Sequence, residues 1–198
     1  MNILKVLKKT FKRLFFETML SDPYYSVRHY KRKGVKIGDN VRLYNVVIDS
    51  RRPFLLEIGS NVIMTNCRVL THDASTSIAT DCTRIGRVTI GSNVFVGFGV
   101  IILPNVHIGD NVIIGAGTVV AKDIPSDSVV VGNPQRIISS FVSFVQRNQA
   151  LIQSRPLFHS NPQSEDDINN MIQMLKDGSG YVKSADSIHF KTEKTSLE

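Results

Sequence analysis

The chain has 198 residues, 42% of them hydrophobic, which suffices for one well-buried domain with short appendages and excludes an intrinsically disordered protein. The net charge of +7 is concentrated: the first 36 residues hold ten Lys/Arg against Glu17 and Asp22, a local +8, while the remainder carries 14 basic against 15 acidic residues, a balance of −1. A near-neutral body excludes a general nucleic-acid-binding surface, and two cysteines too far apart for a CxxC motif exclude a disulfide framework and favour a reducing, cytoplasmic setting.

The first predicted element is a basic arm over residues 1–36. Within it Ile3, Leu4, Leu7, Phe11, Leu14 and Phe15 fall on one helical stripe, and Lys5, Lys8, Lys9, Lys12 and Arg13 fill the rest. Lysines interrupt the apolar run too often for a secretory signal, and no stretch of the chain approaches the ~18 consecutive apolar residues of a spanning helix. Two roles fit a basic amphipathic helix. Residues 1–20 could make peripheral contact with an anionic membrane at its inner face, or the arm could cap the open end of the domain that follows.

From residue 37 the dominant signal is a period of six. Aliphatic residues recur at Ile90, Val96, Ile102, Ile108, Ile114 and Val120, and four residues after each come Val94, Val100, Val106, Val112, Thr118 and Ile124. The same frame opens at Ile37 and Leu43, with Val41 and Val47 at the offset, and at Ile58, Met64 and Leu70, with Val62, Arg68 and Ala74. Arg68 alone breaks the pattern. Glycine follows several lead residues, as at Gly38, Gly59, Gly91 and Gly109, and asparagine comes two later at Asn40, Asn61, Asn93 and Asn111, types that tolerate tight turns. A six-residue unit cannot bury its own apolar side, so units must stack; three hexads make an 18-residue coil, with Ile90 under Ile108, Val96 under Ile114 and Ile102 under Val120. A period of six does not fit a helix of 3.6.

The phase breaks twice, at residues 49–57 (DSRRPFLLE) and 76–87 (TSIATDCTRIGR), and departures from a rigid solenoid are where function concentrates. After the solenoid, IISSFVSFVQRNQALIQ reads as a helix. SEDDINNMIQMLKDG reads as a second, with Ser164 as N-cap and acids in its first turn, and residues 179–198 form a polar tail.

IGSNVFVGFGVIILPNVHIGDNVIIGAGTVVAKDIPSDSVVVGNPQRII resembles the C-terminal half of hexapeptide-repeat acyltransferases of the galactoside and maltose O-acetyltransferase type, and the resemblance runs from about residue 37 to 138. It implies an all-β fold, a left-handed parallel β-helix over residues 37–138; the basic arm read above precedes it, and the helices and polar tail read above follow it over 139–198. It also implies a homotrimer with acetyl-CoA, the acetyl donor, bound between neighbouring subunits. Handedness, assembly and donor come from the resemblance and not from the period.

An activated thioester needs from the enzyme mainly a base for the attacking hydroxyl and stabilisation of the oxyanion. His72, in VLTHDAS, matches the family's catalytic histidine, and imidazole is the side-chain type that exchanges protons near neutral pH. Asp73 could orient it, but adjacent side chains on a strand face opposite ways, which favours a solvated turn carboxylate. By position, the resemblance assigns the coenzyme to Gly97, Phe98, Ala116, Ala121, Lys122 and Arg136, with Lys122 and Arg136 facing its phosphates. Phe95 stands where the family often has tryptophan, Asn105 where it often has glycine, and Phe98 is larger than usual at its position. The expected activity is O-acetylation of a sugar or polysaccharide hydroxyl by direct transfer. The alternatives are N-acetylation of an amino sugar, nucleotide-linked or free, and a non-catalytic β-helical scaffold. A β-helical zinc site of the γ-carbonic anhydrase kind is disfavoured, because His72 and His107 are the only histidines in the repeats.

Overall fold

The computed structural model describes residues 22–183; the basic stripe over residues 3–15 and the end of the polar tail lie outside them. Two compact units meet in sequence after Phe141. The first opens with helix α1 (Pro23–Arg32), capped by Asp22, whose carboxylate accepts the backbone N–H groups of Tyr24 and Tyr25. Tyr30, near its end, is buried, donates its hydroxyl proton to the Val46 carbonyl at 2.9 Å and accepts the Ile48 N–H at 3.2 Å. This hydroxyl satisfies backbone groups of the adjacent coil, and Val27 and Val35 pack against the same core.

Short strands follow in threes: β1 (Lys36–Ile37), β2 (Arg42–Tyr44), β3 (Val47–Ile48); then β4 (Leu56–Ile58), β5 (Val62–Thr65), β6 (Arg68–Val69). A hairpin of β7 (His72–Asp73) and β8 (Arg84–Ile85), with the short helix α2 (Ser77–Thr80) between them, leaves the coil at this point. The series resumes with β9 (Val88–Ile90), β10 (Val94–Val96), β11 (Ile101–Ile102), β12 (His107–Ile108), β13 (Val112–Ile114), β14 (Val119–Val120), β15 (Ser128–Val131) and β16 (Arg136–Ser140). Consecutive strands enter successive sheets: β1-β4-β9-β12 form the first, β2-β5-β10-β13-β15 the second, closed by antiparallel β16, and β3-β6-β11-β14 the third. Every other neighbouring pair in these three sheets is parallel, the connectivity of a parallel β-helix.

The expected stacking is present. Ile90 pairs with Ile108, Val96 with Ile114 and Ile102 with Val120, and all six are at most 3% exposed. The lower coils depart from the expected frame. Val46 and Ile48 are buried rather than Val47, which is 39% exposed, and Cys67 and Val69 are buried rather than Arg68, Leu70 and Ala74. The turns at Asn45 and Asn66 contain one residue fewer than the Phe98–Gly99 turn above them, so the third strand of each lower coil moves forward by one position. Val69 thereby pairs with Ile102 and Ile48, and Arg68 faces outward beside Ile101 and Val47. The irregularity of Arg68 was a slip of frame and not a buried charge.

Glycine and asparagine in each turn do different work. Asn40, Asn61, Asn93 and Asn111 adopt φ between 52° and 58°, and their side-chain amides hydrogen-bond from coil to coil, ending on the Asp127 carboxylate. A Cβ on Gly59 would lie 2.7 Å from the backbone of Gly91 in the next coil, so these glycines permit close stacking rather than a left-handed turn.

The residues 137–140, expected to begin a helix, instead pair with β15, because β15 would otherwise end the second sheet as an open edge. Helix α3 (Phe141–Ser154) starts only afterwards. The second unit contains the rest of α3, the parallel pair β17 (Leu157–Phe158) and β18 (Tyr181–Val182), and α4 (Glu165–Met174). Ser164 caps α4 as expected, in a reciprocal box with Asp167. No helix among the described residues is long and apolar enough to cross a membrane.

Candidate active site

His72 follows β6 at the edge where the chain turns from the third sheet back to the first. One coil below, Asp49 follows β3, and its N–H donates to the Val69 carbonyl at 3.0 Å, so the third-sheet ladder runs one residue past the strand and holds Asp49 against the next coil. Its Oδ2 accepts the Thr71 hydroxyl at 2.6 Å and contacts Nδ1 of His72, and its Oδ1 accepts the Arg51 N–H at 2.9 Å. The Asp49 side chain is 1% exposed and that of His72 is 32% exposed.

Burial alone would raise the Asp49 pKa. The Thr71 hydroxyl, the His72 imidazole and the Arg51 amide outweigh it and hold the carboxyl below the usual range. An ionised Asp49 accepts the proton on Nδ1, which leaves the lone pair of His72 on Nε2, and Nε2 makes no hydrogen bond among the described residues. A buried carboxylate, an imidazole in a fixed tautomer and an open Nε2 together can take a proton from a hydroxyl.

Asp73, weighed as the orienting acid, does something else. It caps the turn after β7 by accepting the Ser75 N–H and pairs with Arg84 at 3.3 Å. The hairpin carrying His72 is fastened at its return: the Gly86 N–H donates to the Thr71 carbonyl at 3.0 Å, and a Cβ at Gly86 would lie 2.6 Å from the Asn105 backbone nitrogen. Any larger residue would push the hairpin off the coil. His107 is exposed on β12, with Nδ1 against the Thr89 hydroxyl and its N–H on Asp123.

The other candidates occupy two edges. Gly97, Phe98 and Ala116 share the turn from the second sheet to the third, where the Gly117 N–H donates to the Phe98 carbonyl; Gly97 is buried, Phe98 is 61% exposed and Ala116 is exposed. A Cβ at Gly97 would sit 2.8 Å from the Ala116 nitrogen, which keeps this edge narrow. Arg136 begins β16 opposite Val131, exposed, at the same end of the second sheet. Ala121 and Lys122 lie instead beyond β14, on the edge that bears His72, two coils above it. Gln135 ties them down, its Oε1 accepting the Ala121 N–H and its Nε2 donating to the Lys122 carbonyl. Thus His72, Ala121 and Lys122 share one edge, and Gly97, Phe98, Ala116 and Arg136 gather around the other.

Asp49, Thr71 and Gly86 were not singled out in the sequence. The available signal was the start of the first excursion: once the short turn at Asn45 is recognised, Ile48 stacks beneath Val69 and places Asp49 under the segment leading to His72.

Residues 87–122 match the family described as bacterial transferase hexapeptide (six repeats). The chain is 37% identical over 140 residues to Protein CapG of Staphylococcus aureus, covering 67% of this chain and 80% of that protein. It is 32% identical over 138 residues to the galactoside O-acetyltransferase of Lactococcus lactis, covering 66% and 64%. Similar solved structures include a maltose O-acetyltransferase from Clostridium difficile, with 30% identity, 67% and 83% coverage and a TM-score of 0.47. Another is a galactoside acetyltransferase in complex with coenzyme A, with 28% identity, 66% and 78% coverage and a TM-score of 0.49. With its coils, its ladders and these relatives, the chain belongs to the hexapeptide-repeat family of left-handed parallel β-helices and is an acetyltransferase of that family.

Proposed function

We propose that the protein transfers an acetyl group from acetyl-CoA directly to a hydroxyl of a sugar or polysaccharide, with His72 as general base. The observation that carries this reading is the bond between Asp49 and Nδ1 of His72, which orients Nε2 as the acceptor of a proton. Nε2 takes the proton of the attacking hydroxyl as the oxygen adds to the thioester carbonyl, a backbone amide stabilises the oxyanion, and collapse breaks the C–S bond. The thiolate of coenzyme A then recovers the proton from the imidazolium.

Gly97, Phe98, Ala116 and Ala121 would line the pantetheine arm, with Lys122 and Arg136 meeting the phosphates. These residues stand on two edges of one chain, which favours a homotrimer in which the coenzyme lies between one subunit's edge and its neighbour's. The galactoside acetyltransferase that resembles this chain holds coenzyme A in its structure, which supports the same donor here. The basic arm over residues 1–20 would add a peripheral contact with an anionic membrane.

The test is coenzyme release from acetyl-CoA against a panel of sugars, with the product treated with hydroxylamine and the particle mass measured in solution. A hydroxylamine-labile product from a particle of three chains is expected. A stable amide product would replace the hydroxyl with an amine, and a monomer active at full rate would remove the shared site.

A further inference from the structure

The first excursion supplies Asp49 to His72, but that role does not account for the two arginines that follow it. Arg51 is exposed and Arg52 half-buried, and neither guanidinium forms an ion pair among the described residues. Asp49, Glu57 and Asp73 have other partners. Asp49 is held by Thr71, His72 and the Arg51 amide, Glu57 by Lys36 at 2.5 Å and Arg87 at 2.9 Å, and Asp73 by Arg84.

The backbone of both arginines is bonded into the site. The Arg51 N–H reaches the carboxylate that orients His72, and the Arg52 carbonyl lies 3.2 Å from the Thr71 hydroxyl. His72 is also paired with Ile85 across the β7–β8 hairpin, and directly opposed side chains share a face. Ile85 is 53% exposed, so an apolar surface borders the imidazole on that side, while Asp73 and Arg84 project from the opposite face.

Position along the β-helix separates these cations from the proposed coenzyme cations. Lys122 follows β14, two coils above β6, whereas Arg51 and Arg52 follow β3, one coil below. At about 4.8 Å per coil, their backbones are roughly 14 Å apart along the axis, with His72 between them.

We infer that Arg51 and Arg52 recognise an anionic group on the acceptor, a carboxylate or a phosphate carried by the sugar, while its hydroxyl lies at His72 and its apolar face on Ile85. Guanidinium groups bind both anions through paired N–H donors, and among the described residues no carboxylate pairs with these two. This rests on the acetyl-transfer reading above.

The experiment measures coenzyme release with glucose, glucuronic acid and glucose 6-phosphate as acceptors, for wild type, the Arg51→Ala/Arg52→Ala double variant and the corresponding double Lys variant. Thermal unfolding confirms that each is folded. Wild type should favour at least one charged sugar over glucose by roughly tenfold or more in kcat/KM, the scale of one charge-assisted hydrogen bond. That preference should collapse in the Ala variant and return partly in the Lys variant, with the KM for acetyl-CoA unmoved and the advantage shrinking as salt rises. The carboxylate and phosphate arms distinguish the two anions. Equal use of neutral and charged sugars by wild type overturns the inference, as does a raised KM for acetyl-CoA in the Ala variant, which would give the arginines to the donor. If wild type turns over none of the three sugars, ligand-observed NMR of glucuronate and glucose 6-phosphate against glucose decides the inference alone. Loss of selective binding in the Ala variant supports it, and equal binding of all three sugars ends it.

Discussion

The upper coils, residues 88–124, and the two coils below them share one core and differ in two turns: the turn from the second sheet to the third is one residue shorter at Asn45 and Asn66, and the turn from the third sheet to the first carries the excursions. The asparagine ladder on the turns from the first sheet to the second runs through upper and lower coils alike, whereas at the edge from the third sheet back to the first the upper coils turn without departure. In the lower coils the chain leaves twice at that edge, after β3 and after β6, and each time the register is recovered, with Leu56 opposite Val88 and Ile58 opposite Ile90. The two departures supply the buried carboxylate and the imidazole. A solenoid whose strands are held by neighbours above and below accepts insertions at its turns without loss of the core, so the buried core resides in the repeated part and the proposed catalytic groups in the interruptions.

That division can be broken at either end. Replacing Asp49 with Asn should lower kcat by roughly 10²- to 10⁴-fold, because the amide no longer enforces the tautomer with a free Nε2. Acetyl-CoA affinity, measured by calorimetry, should not change. Asp49 is held below its ordinary pKa, so its pairing contributes stability in full above about pH 4 and loses it as pH falls through the lowered folded value. Thermal unfolding between pH 5 and pH 2 should accordingly show a steeper loss for wild type than for Asp49→Asn.

In the repeated part, Ile108→Ala removes a side chain that is 0% exposed and should cost about 2–5 kcal/mol in denaturant unfolding, with acetyl transfer per folded molecule preserved. Gly91→Ala sets a Cβ 2.7 Å from the Gly109 backbone and should cost about 1–3 kcal/mol by the same measurement. At the tip of the hairpin, Ala79→Ser alters an exposed residue with no core contact and should stay within about 0.5 kcal/mol of wild type. A large effect there would mean the excursion is part of the folding core.

The ladders were legible because a buried strand of two or three residues repeated every six positions leaves a period no helix shares. The lower-coil slip was not, because Asn45 and Asn66 shorten their turns by one residue while the flanking Val47 and Leu70 are as apolar as the residues truly buried. His72 could be placed from its resemblance to a motif, but Asp49 is 23 residues away and reaches it only by coil stacking, which the slipped frame concealed. The strand over Arg136–Ser140 carries β-branched Ile137 and Ile138 whose pairing depends on an edge that exists only once β15 is in place. The split of the coenzyme candidates over two edges likewise follows from which turn each residue occupies, information that spacing alone yields only after the strands are assigned to sheets.

Acetyl-CoA binding by calorimetry to wild type and His72→Ala, followed by coenzyme release with sugar acceptors, tests the roles of donor and imidazole most directly. Both proteins should bind the donor with similar affinity and only wild type should turn over, the variant losing roughly 10²- to 10⁴-fold. Turnover by His72→Ala near the wild-type rate would contradict the role of the imidazole, and failure of both proteins to bind acetyl-CoA would contradict the donor.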